Sequence, residues 1–397
     1  MSSPVTGVAR MPWALVLAGA VAVIVGLGFA RFSYAPLIPG MIDAGWFSAG
    51  QTAHLGAANL LGYLFGALSA SSLATRVGVG ATLRVALVVV VLSFFLCAFP
   101  APFAWFFGWR LLAGWAGAVL MVVAPSTVLA LTPAARRPMA AAWIFSGIGV
   151  GIFAAAVLMP SILKLGVSWG WLALGVVSLM LTLGSWQRWS RCRIAADVPG
   201  HAPPVSVAVP ATALLAIAAY GLSAFGFVPH TLFWVDFIAR ERGFGMEVAS
   251  LQWALFALGA IAGPFAAGWL ARRSGWFVAL LLVALIKALV LFLSAGGNWL
   301  WLLGLCSLLA GGLAPAMVSL TSGYVTSLVN LSAHRRVWGW ATAAFAVSQA
   351  VAAQGMAALY SVLGTYVPLF LIGGVALLAG ALLILATRLV RSPAAGG

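Results

Sequence analysis

Apolar runs long enough to cross a bilayer fill this chain almost from end to end. Twelve are read: Trp13–Ile38, Ala49–Thr75, Ala81–Phe99, Phe103–Leu131, Met139–Leu163, Trp169–Trp189, Pro210–Ala239, Ala249–Ala271, Trp276–Ala295, Trp299–Leu328, Val337–Leu363 and Tyr366–Arg388. Most hold about 20 or more apolar residues, the length a helix needs to cross ~30 Å of hydrocarbon. Hydrophobic residues make up 64% of the chain and charged residues 6%, whereas soluble domains have roughly 45–50% and ~25%. A soluble fold is excluded. The expected class is an all-α integral membrane protein with twelve transmembrane helices.

The net charge of +15 would fit a nucleic-acid binder if it were gathered in one patch. It is not. Arg10, Arg76, Arg84, Arg136, Arg137, Arg188, Arg191, Arg193, Arg272, Arg273, Arg335, Arg336, Arg388 and Arg391 fall on one side of the twelve spans, and Lys164, Arg240 and Arg242 on the other. Arg31, Arg110 and Lys287 fall within spans. That asymmetry follows the positive-inside rule, so both termini are expected in the cytoplasm and no nucleic-acid partner is expected.

Cys97, Cys192 and Cys306 are widely spaced and form no Cys-x-x-Cys pair, so neither a disulfide framework nor a metal site is expected. The first apolar run outlasts a signal-peptide core and is read as an uncleaved span. Five acidic residues, with no paired carboxylates in a span, no phosphate-binding loop and no clustered histidines, leave no catalytic constellation. The chain is therefore expected not to be an enzyme, to need no cofactor and to use no ATP.

One polar, proline-rich break, from Ser190 to Pro210, leaves six spans on each side. The expected organisation is a first half over 1–189, a cytoplasmic linker over 190–209 and a second half over 210–397. Echoes at nearly half the chain length support a duplication. Leu73-Ala74-Thr75-Arg76-Val77-Gly78 resembles Leu270-Ala271-Arg272-Arg273-Ser274-Gly275, Ala134-Ala135-Arg136-Arg137 resembles Ala333-His334-Arg335-Arg336, and Gly28-Phe29 is matched by Gly226-Phe227. Repeats of this kind belong to transporter folds, whose substrate sites lie near the midplane between the halves. Glycines at helical spacing, notably Gly56, Gly62 and Gly66 and the Gly147-x-Gly149-x-Gly151 run, point to close helix packing through small residues.

These residues resemble the major facilitator superfamily (MFS). Its pattern after the second helix, Gly-x-Leu-Ala-Asp-Arg-x-Gly-Arg, is approached by Gly268-Trp269-Leu270-Ala271-Arg272-Arg273-Ser274-Gly275 and, more loosely, by the segment containing Arg76 and Gly78. Thr75 and Arg272 stand at the acidic position, which leaves the usual cytoplasmic charge relay without its acid. The fourth span, from Arg110 through Ala113, Gly114 and Gly117, is similar to the family's Arg-x-x-Gln-Gly-x-Gly, with Ala113 in place of the glutamine and Gly117 displaced by one. The fifth-span Gly-Pro pair of antiporters is absent. The run from Gly28 to Met41, containing Arg31, Tyr34 and Pro36, and the run from Ser146 to Gly151 resemble the YbfB/YjiJ-like branch. The resemblance covers essentially the whole chain. It implies two pseudo-symmetric six-helix bundles in a bacterial inner membrane, with the first, fourth, seventh and tenth helices around a central cavity.

Charges within spans cost about 2.5–3.5 kcal/mol at a helix centre, so they ordinarily face a cavity or a partner. Arg31 and Arg110 each lie about six residues from the middle of their spans, hence ~9 Å from the midplane at one depth. Bonding to helix carbonyls and direct substrate or gating contact are both open to them, and the second is favoured. Tyr34 shares the face of Arg31, His230 falls near its repeat-equivalent position, and Tyr324 is a polar residue in a cavity-lining helix; these complete the substrate-binding or gating set. Asp236, near Arg240, Glu241 and Arg242, and His54, with a suitable intrinsic pKa, are proton-coupling candidates beside their plainer readings as an exterior salt bridge and an interfacial histidine. Lys287 lies in a peripheral helix with no visible partner.

Three basic residues in the spans make the cavity electropositive, and arginine binds carboxylates bidentately. The expected function is secondary transport of a small organic anion or polar metabolite by alternating access, by a monomer in the lipid bilayer, with the proton as a candidate coupling ion. Proton-coupled efflux of amphipathic compounds is the alternative within transporters. A non-transporting sensor or scaffold is the alternative outside them; it calls for a soluble domain or long tail, which the six residues after Arg391 do not supply.

Overall fold

The computed structural model describes residues 11–133, 136–190, 209–329 and 331–390. Expectations placed on Arg10, Arg191, Cys192, Arg193, Arg391, the Ala134-Ala135 echo and nearly all of the 190–209 linker lie outside these residues, as do those on the side chains of His334, Arg335 and Arg336. Among the described residues every long element is a helix. Eleven helices are long and apolar enough to cross a membrane: Trp13–Asp43, Ala49–Val77, Val79–Leu96, Phe103–Ala130, Met139–Leu163, Val167–Ser190, Ala211–Glu241, Gly245–Gly296, Leu300–Leu328, Val337–Leu363 and Val367–Leu389. The 52-residue helix is two crossings, because its backbone breaks at Gly275, where φ is 79°. Counted that way, the twelve expected spans are all present, and they are called the first to twelfth below.

Several ends are fixed by local chemistry. The second span opens with a capping box, in which Ser48 Oγ accepts from the Gln51 amide at 3.2 Å and Gln51 Oε1 accepts from the Ser48 amide at 2.9 Å. Six of the seven left-handed glycines among the described residues come in pairs, Gly45 with Gly243, Gly78 with Gly275, and Gly166 with Gly364, and Gly245 stands outside them. Each pair is 197 or 198 residues apart, and only glycine takes this backbone conformation without steric cost.

Helix-to-helix contact repeats at the same interval. A Cβ added to Gly62 or Gly66 of the second span would run into the carbonyls of Leu111 and Trp115 of the fourth, and one added to Gly114 would meet the Asn59 carbonyl. In the eighth and tenth spans Gly259, Gly263 and Gly311, each 197 residues on, meet the backbone oxygens of Leu308, Gly312 and Phe256 in the same way. In lipid no hydrophobic force draws helices together, so van der Waals contact and backbone proximity hold the bundle. These six glycines provide it.

The first and seventh spans depart from α geometry. The first is α-helical over Trp13–Val23, π-helical over Ile24–Phe32 and α-helical again over Tyr34–Asp43. The seventh carries π-helical turns at Pro229–Phe233 and Phe237–Glu241. Such wide turns concentrate at functional sites.

Contacts between the two sets of six spans gather toward the end poor in arginine. Gly50 of the second span packs on Ser361 of the eleventh, and Gly56 on Leu232 of the seventh. Phe32 of the first span meets Trp253 and Phe256 of the eighth, each at a centroid distance of 6.3 Å. Lys164 pairs with Glu247 across the surface at 2.9 Å.

Gly114→Ala is expected to lower the melting temperature of the purified protein in detergent, at a cost of about 1–3 kcal/mol for overpacking against backbone. Gly108→Ala in the same helix, where an added Cβ meets nothing within 4 Å, is expected to be neutral or slightly stabilising.

Candidate functional site

The π-helical turn of the first span places Ala30 and Arg31 side by side with opposite environments. The Ala30 carbonyl accepts from Arg110 Nη1 of the fourth span at 2.8 Å and from Asn59 Nδ2 of the second at 3.5 Å. Asn59 Nδ2 also donates to the Arg110 carbonyl at 3.2 Å. The Arg110 guanidinium lies over the Tyr34 ring at 4.1 Å, and Tyr34 donates its hydroxyl proton to the Thr52 carbonyl at 2.8 Å. Arg110, Asn59 and Tyr34 are all buried. This cluster bolts three spans together, so Arg110 has the carbonyl bond that the sequence left open as one of two readings.

Arg31 is different. Its guanidinium carbon stands 5.1 Å from the Phe32 ring centroid and 5.2 Å from that of Tyr63. It makes no hydrogen bond or ion pair to any described residue. Its Nε is buried without an acceptor, while the residue as a whole is only half-buried. It therefore lies deep in the protein and still presents N–H edges to accessible space. Tyr220 of the seventh span packs on Phe345 and Trp338 of the eleventh at 4.8 and 5.6 Å.

His230 does not join Arg31. It is fully buried, its Nε2 lies 3.3 Å from Ser294 Oγ of the ninth span, and its ring packs on Trp234 at 4.6 Å and Phe370 at 5.3 Å. Two turns away on the same pair of helices, Lys287 Nζ donates to Ser223 Oγ at 2.8 Å and sits 4.7 Å from the Phe227 ring. The partner of Lys287 that the sequence could not show is thus a serine and an aromatic face, and no carboxylate pairs with it among the described residues.

Asp236 is buried at the arginine-poor end. Its Oδ2 accepts from the Tyr366 hydroxyl at 2.6 Å, and its Oδ1 lies 3.9 Å from Arg240 Nε. Glu241 accepts from the Tyr366 amide at 2.6 Å and from Thr365 Oγ1 at 2.7 Å, and Arg242 turns away to Asn298 and the Ala295 carbonyl. The expected mutual network of Asp236, Arg240, Glu241 and Arg242 is therefore replaced, apart from the Asp236–Arg240 pair, by bonds to the loops before the tenth and twelfth spans. Local sequence could not give these partners, since Tyr366 is 130 residues from Asp236.

Tyr324 bonds Thr387 of the twelfth span at 2.5 Å and packs on Phe277 of the ninth at 5.9 Å, away from the Arg31 cluster. His54 is half-buried and bonds no described residue. At the loop motif, Arg76, Arg272 and Arg273 are exposed and make no ion pair among the described residues; Arg273 lies over Trp269 at 4.9 Å. Gly78 and Gly275 hold the turns. Asn59, Tyr63, Tyr220, Ser223, Ser294 and Tyr366 were missed as site residues. Of these, only Asn59 carried a sequence signal, a lone carboxamide in an apolar glycine-rich span.

Residues 23–385 match a family described as "Uncharacterised MFS-type transporter YbfB". The chain belongs to that family. No curated protein matches the sequence. Solved structures that match include the crystal structure of a D-xylose-proton symporter, at a TM-score of 0.74 and 14% identity, covering 95% of this chain and 97% of that one. At that identity the likeness shows the fold alone. The family makes the chain a multi-pass membrane transporter of the secondary kind, and not an enzyme.

The Ser223–Lys287 contact generates a stability test. Ser223→Ala, which strips a buried ammonium of its oxygen, is expected to cost about 1.5–3 kcal/mol. Lys287→Met removes the charge but keeps the length, and is expected to be neutral or stabilising. Thermal melts of both single variants and the double variant check this; the double variant should resemble Lys287→Met alone.

Proposed function

We propose that this transporter moves a small organic anion by alternating access, with Arg31 as the group that binds it. The observation carrying the proposal is the Arg31 guanidinium, deep in the bundle, unpaired and open along its N–H edges. A cation kept in apolar surroundings without a partner is costly, and a carboxylate supplies the missing acceptors bidentately. Arg110, tied to Ala30 and covered by Tyr34, is a positioning residue that fixes the turn carrying Arg31.

The moving bodies are the halves 1–189 and 210–397, with the arginine-rich ends of the spans and both termini in the cytoplasm, as charge bias requires. The contacts at Gly50–Ser361, Gly56–Leu232 and Phe32–Trp253 support an inward-facing state closed at the outer end. Asp236 is the proton-coupling group in this reading. Protonating its carboxylate would weaken the pull on Arg240 and let the carboxyl donate, so the bond to Tyr366 would loosen as a latch. The transporter acts as a monomer in the bacterial inner membrane.

Protein reconstituted into liposomes is expected to carry a small carboxylate, and Arg31→Gln to abolish that flux while the variant remains monodisperse. Asp236→Asn is expected to keep exchange of labelled for unlabelled substrate but to lose accumulation driven by an imposed proton gradient. Undiminished flux in a folded Arg31→Gln variant would remove Arg31 from the mechanism.

A further inference from the structure

We infer that the anion bound at Arg31 is a planar aromatic monocarboxylate. The inference rests on the organic-anion reading above and specifies its chemistry.

Charge count comes first. Arg110 is committed to the Ala30 carbonyl and covered by Tyr34. Lys287 is committed to Ser223 and turned to Phe227. Only Arg31 among the basic residues of the spans offers free N–H edges to accessible space. One free cation neutralises one carboxylate; a dianion would carry an uncompensated charge into apolar surroundings.

The surroundings then choose the body of the ligand. Phe32 and Tyr63 present ring faces to the guanidinium, so its plane lies among aromatic surfaces. A bidentate carboxylate bonds in that plane, and a ring conjugated to the carboxylate continues it. Tyr220, packed on Phe345 and Trp338, forms a second aromatic cluster between the seventh and eleventh spans. Behind Phe32, Trp253 and Phe256 stack 4.5 Å apart, and Phe256 stacks on Phe227 at 6.1 Å. Aromatic pairs gain energy beyond the area they bury.

Hydroxyl-rich ligands fit poorly here. The nearby carboxamide, Asn59, spends its Nδ2 on two backbone carbonyls and keeps one free acceptor, its buried Oδ1. The hydroxyl of Tyr63 makes no hydrogen bond among the described residues, and one phenol with one carboxamide oxygen cannot satisfy the several hydroxyls of a sugar. Buried groups left unpaired count strongly against such a ligand.

Titration calorimetry on the full-length protein in detergent tests this with benzoate, cyclohexanecarboxylate and D-xylose. Benzoate is expected to bind about tenfold more tightly than its saturated counterpart, a difference of one aromatic contact set, and D-xylose not to bind. Tyr63→Leu should bring the two carboxylates to similar affinity, Tyr63→Phe should preserve the preference, and Arg31→Gln should abolish both bindings, each variant being checked for a monodisperse elution profile. Equal affinity of the wild type for benzoate and cyclohexanecarboxylate overturns the aromatic inference and leaves the organic-anion reading standing. Binding of neither carboxylate overturns both.

Discussion

Close approach of backbones at six glycines is the constraint on which the rest of this structure depends. Helices in lipid gain nothing from hiding apolar surface from one another, so they hold together only where they come near enough for dispersion and polar contacts to add up. Gly62, Gly66 and Gly114 bring the second and fourth spans to backbone contact. That proximity is what lets the Asn59 carboxamide reach both the Arg110 and the Ala30 carbonyls. Once Ala30 is pinned, the adjoining Arg31 has its direction set. Arg31 is thus placed by residues that have no side chains of their own.

The same frame is used twice with different chemistry. Gly259, Gly263 and Gly311 reproduce the crossing in the eighth and tenth spans, yet the position matching Asn59 is Phe256 and the one matching Arg110 is Ser307. Ser307 bonds the Gln252 carbonyl, so that half has a polar tie with no charge in it. Its own buried cation, Lys287, comes from another helix and points to the seventh span. Repetition has kept the small residues that govern distance, while the polar groups beside them have diverged.

The architecture was legible in the sequence because it rests on length, hydropathy and charge bias, which are local or additive properties. Twelve runs gave twelve crossings, and the echo around Gly78 and Gly275 marked two matching turns. The site was legible only in part. Arg31, Arg110 and Asp236 stood out because ions in apolar runs are costly, and the resemblance to a family gave the helices that carry them. Their partners were hidden. Nothing near Asp236 announces Tyr366, and nothing near Lys287 announces Ser223, because both contacts join helices whose neighbourhood is a product of the fold. The surroundings of Tyr324 and His230 were hidden as well: the sequence gives the helix that carries each, whereas the direction of a side chain depends on local winding, which at His230 includes a π turn.

Those wide turns have a mechanical consequence. A π turn stores one residue more than the surrounding α-helix, and moving that surplus along the span swivels the stretch it passes by about 100° with little loss of backbone bonding. Arg31 rides on such a turn in the first span, and the seventh span has two, one on each side of Trp234–Asp236. A guanidinium mounted this way can be re-aimed by rotation about its own helix, with no need to tilt the whole bundle that carries it.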